Sequence, residues 1–69
     1  MPHDDKRIGQ RAGFIDKANE HRSRHLENAR AAREQGNERS AKWNEGRAET
    51  YTQQISKTAA NIKKLISDN

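Results

Sequence analysis

Cysteine is absent from the 69 residues, which excludes disulfide staples, thiolate metal sites and thiol catalysis, and leaves no sign of an oxidising compartment. Valine is absent as well, and Ile, Leu and Phe together contribute eight residues, a composition shared with disordered chains. Phe14, Trp43 and Tyr51 are the only aromatic residues, too few for the paired stacking positions of an RRM-type domain. No apolar run approaches the roughly 18 residues that a membrane-crossing helix needs, and none follows Met1-Pro2-His3-Asp4-Asp5. The expectation is a cytoplasmic protein with no membrane partner.

Charge is what the chain has in abundance: fourteen Lys and Arg against ten Asp and Glu, a net of +4. Up to Gly36 there are eight basic and six acidic residues and beyond it six and four, so each part carries +2. A Lys6, Arg7 and Arg11 cluster stands near the start, but no block of like charge forms an electrostatic tail. The excess permits a polyanionic partner without demanding one.

The charges are periodic. Arg11, Arg22 and Arg33 recur every eleven residues, as do Ile15 and Leu26, and Asp5, Asp16 and Glu27. Eleven residues make about three helical turns, so the repeats draw stripes along a helix. Ile15, Ala18, Arg22, Leu26, Ala29 and Arg33 define one face of a first helix. Asp4 and Asp5 suit its start, although Gly9 and Gly13 let residues 1–13 fray and place the firm start near Phe14. Gly36-Asn37 combines the usual residue beyond a helix end with a residue able to cap the next helix. The second helix follows with a seven-residue register: Ala41, Ala48, Ile55 and Ile62, interleaved with Asn44, Tyr51, Thr58 and Leu65. Lys63 and Lys64 favour its C-terminal end.

The predicted fold is all-α: one domain over residues 1–69, an antiparallel hairpin of two long helices turning at Gly36-Asn37, with residue numbers summing to roughly 73 in contact. A break at Gly46 would give three short helices instead. The hairpin seam is thin, so pairing of two hairpins into a four-helix bundle is expected to complete the core. Such a dimer is similar in architecture to the small plasmid RNA-regulatory Rop family, with no shared motif. The span from Leu26 to Tyr51, through Gly36 and Ala48, has a spacing similar to one tetratricopeptide repeat without its aromatic positions.

No constellation specifies a reaction. His21 and His25 share a helix face and could meet one metal ion, with His3 as the remaining imidazole, but the order His-Glu-x-x-His of zinc proteases is missing. The serines lack a His and acid in recognisable order, and no glycine-rich phosphate loop is present. The expected protein is non-enzymatic, takes no cofactor, metal or small-molecule substrate, and acts by binding another protein or its own copy. Trp43 reads either as a lid over the alanine-rich turn end or as a partner anchor, joined in that role by Arg22 and Arg33. A buried guanidinium needs a partner, and Glu45 and Glu49 are the acids within reach on the second helix. The second functional reading is backbone-directed binding of RNA or DNA through Lys6, Arg7, Arg11, Arg22, Arg33, Lys42, Lys57 and Lys64.

Overall fold

The computed structural model describes residues 5–67, which form two helices, α1 (Asp5–Glu34) and α2 (Glu38–Ser67), packed antiparallel as a hairpin of 55 × 14 × 10 Å. Each helix starts with an acid, Asp5 or Glu38, and has a cation in its last turn, Arg33 or Lys64, as the helix dipole favours. Asp4 and His3 lie outside the described residues.

The turn is built by two residues. Gly36 adopts φ 75°, a left-handed conformation that costs an L side chain energy and glycine almost none. It lets the Asn37 amide donate back to the Ala32 carbonyl at 2.8 Å and the Gly36 amide to that of Arg33 at 3.0 Å, the paired bonds that satisfy the last carbonyls of a helix. Asn37 then turns its side chain forward, and its Oδ1 accepts from the Ser40 amide at 3.1 Å as the N-cap of α2. Two residues thus close one helix and open the next, as the sequence predicts.

In α1 the residues that escape full exposure are Ile8, Arg11, Ile15, Ala18, Arg22, His25, Ala29 and Ala32. Their alternating steps of three and four define the a and d positions of a seven-residue repeat. In α2 the matching set is Ala41, Asn44, Ala48, Tyr51, Ile55, Thr58, Ile62 and Leu65, with Ser40 and Glu45 at the margin. The contacts across the seam, His21–Tyr51, Arg22–Thr52, His25–Asn44 and Arg33–Glu45, have residue sums of 72, 74, 69 and 78, around the predicted value of roughly 73. Near the turn the seam is alanine: Ala29, Ala32, Ala41 and Ala48 are buried, and side chains this small bring helix axes close together. Towards the open end, half-buried isoleucines take over.

Three expectations need correction. The break at Gly46 does not occur, and α2 is continuous. Gly46 lies at the outer f position with open space where a Cβ would be, so its cost is confined to propensity, about 1 kcal/mol. For the same reason α1 is helical ahead of Phe14 and through Gly9 and Gly13, both exposed. Leu26 does not share the packed face with Ile15 and Ala29: it is 43% exposed, and the seam position beside it belongs to His25. A seam repeating every seven residues uses 3.5 residues per turn, whereas an eleven-residue stripe uses about 3.67. Each step of the stripe therefore moves one position sideways, taking Ile15 at a to Leu26 at e, and Arg11 at d through Arg22 at a to Arg33 at e.

No large side chain is fully buried among the described residues. Alignment of the helices relies on polar contacts as much as on apolar area. Asn44, 6% exposed, donates through Nδ2 to the Ser40 carbonyl at 2.9 Å and uses Oδ1 to accept from His25 Nδ1 at 2.8 Å. This pairing requires the proton of His25 on Nδ1, since the amide oxygen can only accept. A buried Asn in a coiled-coil seam fixes register because any slip leaves it unpaired. Gly36→Ala is expected to lower stability by about 1–2 kcal/mol through the forced left-handed Cβ, read from urea melts followed by circular dichroism. Asn44→Ala is expected to cost about 1–3 kcal/mol by stranding the His25 N–H in the same assay.

Candidate functional site

Placing every residue on the seven-residue repeat separates two sides of the hairpin. Next to the seam on one side lie the g positions and beyond them c; on the other lie e and beyond them b, with f at the back. In this antiparallel pair the g positions of the two helices face the same side. That side carries Arg7, Lys17, Arg24, Arg47, Lys57 and Lys64. Among the described residues it carries no carboxylate. Asp5, Glu38 and Glu45 stand at e, Asp16 and Glu49 at b, and Glu20, Glu27 and Glu34 at f. The described acids are confined to one side and back of a rod whose other side is basic.

Contacts across the helices agree with this division. On the e side the Arg33 guanidinium forms a two-pronged bond with Glu45, Nη2 to Oε1 at 2.8 Å and Nη1 to Oε2, and its Nε approaches Glu38 at 3.4 Å. The hydrogen bond from Arg33 holds the Glu45 carboxyl below its ordinary value; burial opposes this, and the charges of Arg33 and Lys42 add to it. The bond to Glu45, then the charge of Glu45, raises Arg33 in turn. Arg22 also leans to the e side, donating from Nε to Thr52 Oγ1 at 2.8 Å and from Nη1 to Asn19 Oδ1 at 3.5 Å.

The g side holds the rings. Tyr51 stacks on His21 at 5.4 Å and on His25 at 6.0 Å, and the Arg47 guanidinium lies 5.6 Å from the Tyr51 centroid. Trp43 meets His25 in a T-shaped contact at 5.7 Å yet remains 61% exposed, so it is no lid. Its c position points away from the alanine seam. Phe14, 46% exposed, borders an open groove also lined by Gln10, Arg11, Lys57, Thr58 and Asn61. Among the described residues the large aliphatic side chains left exposed, Leu26 and Ile66, lie at e on the opposite side.

The residues singled out from sequence are therefore split. Arg7, Arg11, Lys57, Lys64 and Trp43 gather on or beside the acid-free side. Lys6 at f, Lys42 at b, Arg33 at e and the e-directed Arg22 do not. The stripe of Arg11, Arg22 and Arg33 is thus no continuous contact line. Lys17, Arg24 and Arg47 were missed, together with Phe14, His21 and Tyr51 as their companions. The seven-residue register of α2 does not run on through the turn, since steps of seven back from Ala41 reach Glu34, Glu27 and Glu20 whereas the packed a positions of α1 are Ala29, Arg22 and Ile15, so only the spacing of carboxylates within each helix signals these residues. No helix among the described residues is long and apolar enough to cross a membrane.

The Arg33–Glu45 pair makes stability pH-dependent with a definite sign. A carboxyl held below its ordinary value of 4.5 contributes stability above that value, and the contribution is lost as pH falls through the lower folded-state value. Between about pH 6 and pH 3 the thermal midpoint of the wild type is expected to fall further than that of Glu45→Gln, measured by circular dichroism melts. Against these features stands the outcome of comparison with known proteins: no family model, curated protein sequence or solved structure matches the chain.

Proposed function

We propose that this chain is a small non-enzymatic nucleic-acid-binding protein that lays its acid-free side along a phosphate backbone. The observation that carries the reading is the sorting of charge: Arg7, Lys17, Arg24, Arg47, Lys57 and Lys64 on one side, and every described carboxylate elsewhere. A net charge of +4 spread evenly would be a weak attractor; the same charge sorted onto one side of a rod raises the local potential and steers a polyanion to it. Helical positions also hold the cations at set spacings, and backbone contacts supply affinity without sequence readout. This reverses the order in which the sequence alone placed the two partners.

A second reading, a protein partner, draws support from the other side. Leu26 and Ile66 lie exposed at e, and no large side chain among the described residues is fully buried, so a second copy seated there would complete a four-helix bundle. The two readings use different sides and are compatible. In sedimentation equilibrium a dimer is expected for the wild type and a shift towards monomer for Leu26→Lys; a wild-type monomer at all loadings would remove the bundle.

The nucleic-acid reading is tested by anisotropy titration of labelled oligonucleotides across a salt series. Lys57→Ala is expected to weaken binding and reduce the magnitude of the log–log salt slope by about 1. Lys42→Ala removes the same charge from the opposite side and is expected to leave the slope unchanged. Equal effects of the two substitutions would mean that net charge alone is at work and that the basic side is no site.

A further inference from the structure

We propose that the nucleic acid taken by this side is single-stranded, with its bases stacked on Trp43, on the His21–Tyr51 stack and on Phe14. The inference rests on the nucleic-acid reading above and specifies its substrate class. Duplexes offer phosphates but keep base faces inside the stack; single strands offer both, and proteins that take them pair a cationic track with aromatic platforms.

The first observation is how the exposed apolar residues are sorted. Phe14 and Trp43 are on the basic side, while the aliphatic Leu26 and Ile66 are on the acidic one. A surface meant only for phosphate has no use for a largely exposed indole.

The second is order along the rod. Projecting α2 onto α1 through the seam register brings Arg7 level with Lys64, Lys17 with Lys57, and Arg24 with Arg47. Between the first two pairs lies Phe14, between the second and third lies the Tyr51 ring stacked on His21, and beyond the third lies Trp43. Pairs and rings each recur about every eight residues, or about 12–13 Å at the helical rise. Cations and rings therefore alternate along the rod, so one extended strand laid on it meets charge and aromatic surface in turn.

The third is the groove at Phe14. It is lined by Phe14, by the cations Arg11 and Lys57 and by the amide-bearing residues Gln10 and Asn61. A base stacked on the ring would find amide donors and acceptors for its edge and cations for its flanking phosphates. The middle rung is already assembled, since Arg47 lies over Tyr51 and a guanidinium plane stacks on bases as rings do.

The test compares labelled single strands and duplexes of equal length with the full chain at fixed salt, following probe anisotropy and the emission of Trp43, the single tryptophan. Expected are tighter binding of the single strand, quenching of Trp43 at saturation, and at least about fivefold weaker single-strand binding by Trp43→Ala, the low end for loss of one stacked base. The salt slope and duplex affinity should stay unchanged, and Trp43→Phe should restore most of the loss. Because Trp43 is largely exposed, circular dichroism should report an unchanged fold in both variants; Phe14→Ala gives an independent second reading at the other end. Equal affinity for both forms with Trp43→Ala neutral would overturn the single-strand inference while leaving the nucleic-acid reading standing. Failure to bind either form at low salt would overturn both, as would a Trp43 emission shift on anionic phosphatidylserine vesicles without oligonucleotide binding.

Discussion

The turn at Gly36 and Asn37 sets the level at which every residue of α1 meets α2. Its Schellman bonds end α1 at a defined carbonyl, and the Asn37 side chain starts α2 at a defined amide. With so short a connection the helices have little freedom to slide, and the seven-residue repeat carries the turn's register to the open end. Exchanging the glycine for a residue that resists a positive φ would disturb the place where both helices are counted from.

The seam compensates for its few apolar side chains with specificity. Alanines near the turn let the helices approach, while Arg11, Arg22, His25, Asn44 and Thr58 occupy positions where a stable coiled coil would have leucine or isoleucine. Polar seam residues lower stability and penalise misalignment, because a slipped helix strands hydrogen-bonding groups. The Asn44–His25 bond does this within the seam, and the bonds of Arg22 and Arg33 to α2 do it along the e side. The result is a rod whose alignment is better defined than its core is large.

That alignment is what gives the surface its meaning. Each helix alone already keeps its described carboxylates at e, b and f. Set in antiparallel register, the g and c positions of α1 join those of α2, and six cations fall together with rings between them. The carboxylates are distributed over e, b and f, where Glu45 and Glu38 also engage Arg33. Described acids thus bridge the helices on one side through Arg33, and the other side carries cations with no described carboxylate beside them.

The turn and the pairing near a sum of 73 could be read from residues alone because they depend on local chemistry: Gly in a left-handed cap, Asn at an N-cap, and apolar residues recurring every seven. Glu45 as a partner for Arg33 followed from the same register. The phase of α1 could not be read this way, because its most regular pattern, the eleven-residue stripe, drifts across the seam and suggested Leu26 and Arg33 as inward positions. Only packing against α2 chose His25 and Ala32 instead, since a seam is defined by what both helices can bury in common. The g and c positions are free of described carboxylates within each helix, but only the antiparallel pairing joins the two sets into one side, with Lys17 and Arg24 on the same side as Lys57 and Arg47. The sequence by itself determined the helices, their turn and their charge; the tertiary structure decided which charges share a side, because that depends on the rotation of each helix about its axis.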